Sequence, residues 1–313
     1  MSGKVLITGG HGNLGSYITK YLVENGYEVS VLTKKSTNKI KGLEYSIIEA
    51  DITKIEILKK KLDFKVDYCI HLASFNEFFS DDYSSRALEI NTLGTRNLLE
   101  IFGLRNLKNF IYFSTFHVYG ASSGVISELK ELNPKNDYAS THLFAEYYVK
   151  QFGFTHKLNY TILRLTNSYG VPLFKETNKW YLVLNDLVKS AYKNHQIVLN
   201  SNGKSRRDFI HMNDVSIIVE KLLKQKALNE VFNLSSGKTY KVIDLAQKVK
   251  HIYIERYNKD INILLNEDDL TLYKELVVKN DKLNERIDFI IHDKIDEEIN
   301  NIFELLESKC DFQ

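Results

Sequence analysis

The sequence predicts an α/β fold: a doubly wound parallel sheet with a smaller, interleaved C-terminal α/β lobe. Three observations predict it. Short apolar runs alternate with segments of helical period through the first half of the chain. Those runs are strongly apolar, as fits strands covered on both faces. A glycine-spaced turn joins the first run to the first helical segment.

The elements follow in order. "KVLIT" is the first strand, and "NLGSYITKYLVENG" places Leu14, Ile18 and Leu22 on one helical face, with Gly26 suited to end the helix. "YEVSVLT" and "YSIIEA" are the second and third strands, a helical stretch follows, and "VDYCIHLAS" is the fourth strand. "SRALEINTLGTRNLLEIF" reads as one long helix, "NFIYFSTF" as the fifth strand, "YASTHLFAEYYVKQF" as a helix and "NYTILRLT" as the sixth strand. Beyond Asn167 the loops lengthen, and "WYLVLNDLVKSAY" and "VIDLAQKVKHIYIERY" read as amphipathic helices. There is no internal repeat and no flexible linker. The expected division is therefore interleaved: residues 1–166 with about 208–240 form one domain, and 167–207 with 241–313 form the other.

Bulk properties narrow the function. With 43% hydrophobic and 26% charged residues and a net charge of +2, the chain has no electrostatic case for binding nucleic acid or a membrane surface. No apolar stretch reaches the ~18–20 residues of a membrane span. Only Cys69 and Cys310 are present, so neither a disulfide nor a metal site is expected. "MSGKVLITGG" runs directly into a strand without a signal-peptide core, and a reducing cytoplasm is the expected location.

"LITGGHGNLGSY" carries glycines at 9, 12 and 15, between a strand and a helix. This is the spacing of a dinucleotide-binding turn of the Rossmann type. Gly9 permits the tight turn, Gly12 lets backbone approach a pyrophosphate, and Gly15 lets helix and strand pack closely. The helix N-terminus favours the anion.

From this loop onward the chain resembles the extended short-chain dehydrogenase/reductase family of nucleotide-sugar epimerases, dehydratases and ketoreductases. The resemblance runs from Lys4 to about Val249, through "TGGHGNLG", "EADIT", "HLAS", "NTLGTRNLLE", "FSTFHVYG", "RLTNSYG", "RRDFIHMNDV" and "VFNLSSG". It implies that Gly9, His11, Gly12, Asn13, Leu14 and Gly15 hold the dinucleotide, with Asp51 and Ile52 at its adenine. It likewise places Leu72, Ala73, Ser74 and Asn91 along the cofactor, and it implies a homodimer through the helices around Leu88–Phe102 and Tyr138–Phe152.

In such enzymes a tyrosine moves the proton of a sugar hydroxyl while hydride moves to or from the nicotinamide, and a Ser or Thr hydroxyl assists. Tyr138 and Thr115 match these positions. Phe116 and His117 stand where the dehydratases carry an Asp-Glu pair, which argues against 4,6-dehydration. The tyrosine is ordinarily followed four residues later by a lysine that binds the nicotinamide ribose and lowers the phenol pKa. Here that residue is His142. Imidazole keeps a donor for the ribose but titrates near ~6.5, so Tyr138 is expected to keep a high pKa. This harms alcohol oxidation, which needs a phenolate, more than reduction, which needs a phenol. The alternative is a degraded site.

NAD-preferring folds of this type place a carboxylate at the end of the second strand. That strand ends in "TKKS", where Lys34 and Lys35, with His11, suit a 2′-phosphate. NADP is therefore the preferred expectation and NAD the alternative. On the substrate side, Arg207 matches the residue that grips a nucleotide diphosphate, as paired guanidinium donors suit phosphate. Asn167 matches a contact to the same diphosphate or sugar. Arg164, His71, His211 and Trp180 read as structural. The leading expectation is an NADP-dependent ketoreductase of a keto nucleotide-sugar in surface-polysaccharide sugar biosynthesis, with Tyr138 as proton donor. An epimerase with tightly held NAD and a non-catalytic dinucleotide-binding sensor are the alternatives.

Overall fold

The structure, a computed structural model, describes residues 3–35, 38–76, 82–174 and 179–308. Cys310 lies outside the described residues.

Strand β1 (Lys4–Thr8) is buried at every position but its first, because sheet neighbours flank it on both edges and helices cover both faces. The chain steps outward through β2 (Glu28–Thr33) and β3 (Ser46–Glu49), then returns to β4 (Tyr68–His71) on the other side of β1. It continues through β5 (Asn109–Thr115) and Tyr160–Leu165 to Glu230–Leu234. All seven strands are parallel. Strand order reverses between β1 and β4, where Thr8 pairs with Leu32 on one side and His71 on the other. A crevice opens beyond the carboxyl ends of the strands at such a reversal.

The second lobe surrounds a separate core that includes Leu184, Val188, Leu245, Val249, Ile299 and Phe303. Helices Val183–Asn194, Val242–Tyr257 and Ile295–Glu307 supply it. Strand Arg206–His211 lies between Asn167–Tyr169 and Thr239–Lys241 in a three-stranded sheet. Helix Met212–Leu223 then returns to pack on helix α1 (Asn13–Glu24). The chain thus crosses from the second lobe back to the first after Arg206–His211.

Three elements depart from the sequence expectation. The fourth strand is shorter than "VDYCIHLAS", because past His71 the chain turns across the end of β1 with Leu72 N–H on the Thr8 carbonyl, 3.1 Å. The long helix is α-helical over Tyr83–Ala87 and Thr95–Phe102 but a π-helix over Leu88–Gly94. There the Thr95 hydroxyl donates to the Asn91 carbonyl at 2.6 Å and competes with the regular ladder. The helix expected from Trp180 starts at Val183. Trp180 instead sits in the preceding turn, partly buried against the second core.

Candidate functional site

The glycine turn is built as its spacing requires. Gly9 adopts φ +71°, and a Cβ there would lie 2.9 Å from the Ala73 nitrogen. A Cβ on Gly15 would lie 2.0 Å from the Gly9 carbonyl, so only glycine lets the helix sit this close to the strand. Gly12 caps α1 without any side-chain hydrogen bond to the first turn. Its Cβ position touches nothing but the Gly9 carbonyl, at 3.1 Å. The first-turn N–H groups therefore face a cradle suited to an anion.

This turn forms one wall of a cleft of about 480 Å³ between the lobes. The cleft brings together most of the expected residues: Gly9, Gly12, Asn13, Leu14 and Gly15 at one end, with Leu72, Ala73 and Ser74 along the floor. Thr115, Tyr138 and His142 lie at the centre, and Asn167 and Arg207 come from the second lobe.

Tyr138 stands in the first turn of helix Asp137–Thr155, which Asn136 caps by accepting from Ala139 N–H at 2.9 Å. Thr115, the last residue of β5, hydrogen-bonds Tyr138 through its side chain. Burial pushes the Tyr138 phenol up to about 12, and the neighbouring Tyr83 and Tyr181 add to this against the Thr115 hydrogen bond. His142, one turn further along, packs edge-to-face on Tyr138 with ring centroids 4.6 Å apart. Its Nδ1 lies 2.8 Å from the Tyr112 hydroxyl, while its buried Nε2 has no partner among the described residues. Burial, then the nearby His117, hold the imidazole down at about 3. The residue in the lysine position is neutral.

One more turn along, buried Glu146 accepts two bonds from Arg164 at 2.9 and 2.7 Å and one from Ser114 at 2.6 Å. Arg164 also donates to the Tyr119 hydroxyl at 3.0 Å, so it anchors the helix to the sheet under the site. His71 is bracketed by the Thr8 and Thr95 hydroxyls at 2.6 and 2.8 Å. His211 caps Met212–Leu223 and faces Glu298.

In the second lobe, Arg206 pairs with Glu275 at 2.7 Å, whereas no hydrogen bond or ion pair to a described residue engages the Arg207 guanidinium at the cleft. Asn167 donates to the Asp208 carbonyl at 2.9 Å. Among the cleft residues that escaped the sequence reading as site residues are His117, Lys179 and Tyr181. His117 follows Thr115 by two positions, and its imidazole is held below its ordinary value by burial and then by Arg207. Lys179, from the loop before Val183–Asn194, reaches Asn76 at 2.9 Å and the Tyr181 hydroxyl at 2.6 Å. Only the pattern "FHV" could have pointed to His117. Nothing in sequence marks Lys179 or Tyr181, which the lobe packing brings in.

Five expected residues stand off the cleft lining. Asn91 accepts from Phe75 N–H at 2.6 Å and donates to the Phe75 carbonyl and Thr141, so it holds the loop after Ser74 instead of facing the cleft. Ile52 packs in the core under Gly94. His11 contacts the Tyr45 hydroxyl at 2.9 Å and the Phe174 ring. Lys34 and Asp51 pair with each other at 2.9 Å. The reading that no carboxylate stands near the end of β2 is thereby corrected: the adjacent β3 delivers Asp51 there.

The cleft fits a dinucleotide. Its wall holds an uncapped helix N-terminus, and two buried polar groups that border it lack partners among the described residues, the Asn13 amide and His142 Nε2. Such atoms cost ~1–3 kcal/mol each unless something pairs with them. A parallel sheet, a glycine turn at its reversal point and a Thr–Tyr pair opposite define a dinucleotide-dependent enzyme of the extended short-chain dehydrogenase/reductase type. The chain belongs to the NAD dependent epimerase/dehydratase family, whose profile matches residues 5–235. It is 28% identical over 277 residues to the dTDP-D-glucose 4,6-dehydratase of Dictyostelium discoideum. That match takes in 80% of this chain but only 62% of the relative's length. In fold it is similar to the UDP-glucose 4-epimerase of Thermotoga maritima solved with UDP-glucose, at TM-score 0.83 and 23% identity over 97% of this chain and 99% of that one. It is also similar to RMD from Pseudomonas aeruginosa complexed with NADPH, at 0.80 and 22% over 98% and 100%. Among the described residues no helix is long and apolar enough to cross a membrane.

Proposed function

We propose that the chain is an NADP-dependent ketoreductase of a keto nucleotide-sugar, serving surface-polysaccharide sugar biosynthesis, with Tyr138 as the proton donor. The observation that carries this reading is the residue at the lysine position: a buried histidine whose Nδ1 lies 2.8 Å from the Tyr112 hydroxyl, an environment that holds its pKa down and favours the uncharged imidazole. A phenol kept protonated at neutral pH can give a proton to a nascent alkoxide but is a poor base for drawing one from an alcohol. The Thr115 hydroxyl hydrogen-bonds Tyr138 in the free site and turns its one hydrogen to the substrate alkoxide when substrate is bound. Asn13, His142 and the first turn of α1 hold the dinucleotide, which when bound supplies the hydride. Arg207 grips the diphosphate, with Asn167 beside it. Phe116 and His117 replace an acidic pair, which removes the acid–base set for dehydration.

A second reading, an epimerase with retained NAD, is favoured by Asp51 near the end of β2, a carboxylate able to bind a ribose hydroxyl in place of a 2′-phosphate. Cofactor analysis of the purified protein separates the two. A reductase emerges free of cofactor and oxidises NADPH in the presence of UDP-, dTDP- or GDP-linked keto-sugars. An epimerase emerges with NAD bound and interconverts sugar-nucleotides without net oxidation.

The helices carrying Asn91 and His142 pack side by side and expose Leu88, Leu93, Phe144 and Tyr147. This face is the proposed homodimer surface.

A further inference from the structure

We propose that Tyr112 is a positioning residue that turns His142 into a substitute for the missing lysine: it fixes the imidazole as the tautomer whose Nε2–H points into the cofactor cleft. The inference rests on the dinucleotide site proposed above and adds a residue to it.

The argument is a count of donors and acceptors. Tyr112 lies on β5 with 2% of its surface exposed, and His142 lies on the helix beside it at 3%. The Tyr112 hydroxyl and His142 Nδ1 are 2.8 Å apart, and among the described residues His142 is the sole hydrogen-bond partner of that hydroxyl. A buried phenol with one partner must spend its hydrogen on it, or bury an unmet donor. Tyr112 therefore donates to Nδ1, and a neutral imidazole that accepts at Nδ1 carries its proton at Nε2. Nε2 is buried, borders the cleft and is without a partner among the described residues. The pair thus presents one uncharged N–H donor to the cleft, at the place where the family's lysine presents a charged one. The same bond opposes protonation. An imidazolium carries a proton on both nitrogens, so Nδ1–H and the phenol O–H would compete for one gap. Burial, which holds His142 low and Tyr112 well above the ordinary phenol value, acts in the same direction. His71, whose ring lies 5.6 Å from Tyr112, is hydrogen-bonded between Thr8 and Thr95 and is itself held low by burial and then by His142. Glu146, whose charge bears on Tyr112, is committed to Arg164 and Ser114. Two further groups face the pair: His117, itself held below its ordinary value by burial, which opposes a charge on His142, and Tyr138, whose ring packs edge-to-face on the imidazole and whose hydroxyl bonds Thr115.

The test is nitrogen NMR of histidine-labelled full-length protein, with NADPH and NADH titrations by fluorescence. In wild type, His142 should show an unprotonated Nδ1 and a protonated Nε2, unchanged from pH 6 to 8. Tyr112→Phe keeps the ring but removes the donor. The tautomer should then become mixed, and affinity for whichever dinucleotide wild type binds should fall roughly tenfold, the size of one net hydrogen bond. In a His142→Gln background, where an amide donor needs no tautomer, Tyr112→Phe should leave dinucleotide affinity unchanged. The opposite tautomer in wild type, an imidazolium at neutral pH, or equal affinity in wild type and Tyr112→Phe overturns the proposal. A wild type that binds neither dinucleotide overturns the cofactor site itself, a result the tautomer measurement distinguishes.

Discussion

Lys34 and Asp51, the first just past the end of β2 and the second just past the end of β3, close a 2.9 Å salt bridge between the two strand ends. Burial favours a neutral Asp51, but hydrogen bonds from Lys34 and Thr53 outweigh it and hold the carboxyl below its ordinary value. The pair sets opposite requirements. Lys34 would attract a 2′-phosphate, whereas Asp51 would repel one and suit a bare ribose.

NADPH is expected to bind more tightly than NADH. Lys34→Ala should cut that preference about tenfold, the worth of one charge-assisted contact. Asp51→Asn should strengthen NADPH binding and leave NADH unchanged or weaker, since it removes a negative charge beside the phosphate. Fluorescence titration of both dinucleotides checks this, and NADH ahead of NADPH in wild type would transfer the argument to the epimerase reading.

The diphosphate clamp makes a separate expectation. Arg207→Ala should weaken binding of a nucleoside diphosphate by ~1.5–3 kcal/mol and leave dinucleotide affinity within about twofold, because its guanidinium faces the second-lobe end of the cleft. Arg206→Ala, which removes only the exposed pair with Glu275, is the control and should change neither. Calorimetry with UDP, dTDP and GDP measures both variants, and equal binding by wild type and Arg207→Ala removes Arg207 from the clamp.

The sheet was legible because its central strands, β1, β4 and β5 above all, are buried on both faces and read as strongly apolar runs. The reversal between β1 and β4 was legible through the glycine turn that sits on it. What escaped was lateral. Asp51 meets Lys34 because β2 and β3 are adjacent and parallel, a register fact that no local motif carries. Tyr112 reads as one more aromatic in an apolar strand until the neighbouring helix lays His142 against its hydroxyl. Lys179 reaches the cleft only because the second lobe folds over the first. Asn91 was placed on the correct helix, but the π turn carries its amide to the Phe75 backbone.

Glu146, on the Tyr138 helix, and Arg164, on the strand Tyr160–Leu165, form a buried bidentate pair that ties that helix to the sheet. Arg164→Met should destabilise the protein by about 3–5 kcal/mol, since it strands a buried carboxylate. Adding Glu146→Leu should recover most of that loss, because an apolar pair of similar volume needs no desolvation. Urea denaturation of the single and double variants tests this. A double variant no more stable than Arg164→Met would show that Ser114 and Lys150, and not Arg164, hold the carboxylate.

The last expectation concerns the direction of catalysis. With Tyr138 pushed up to about 12, its phenol is protonated throughout the neutral range. The sign follows: the reductive rate should be flat from about pH 6 to 9, whereas any alcohol-oxidising rate, which needs the phenolate, should rise about tenfold per pH unit over the same span. Tyr138→Phe should abolish turnover while dinucleotide still binds, as only the hydroxyl is lost. Thr115→Ala should slow turnover less, with water able to replace its single bond. His142→Lys adds a permanent cation at the ring now packed 4.6 Å from Tyr138. It should lower the phenol pKa and raise the oxidising rate at pH 8 more than the reducing rate, each tenfold gain in phenolate corresponding to about 1.4 kcal/mol. His142→Ala should weaken cofactor binding and slow both directions. A wild type inactive on every keto sugar-nucleotide, with activity appearing only in His142→Lys, would identify a degraded site. An active wild type indifferent to His142→Ala would remove the imidazole from catalysis.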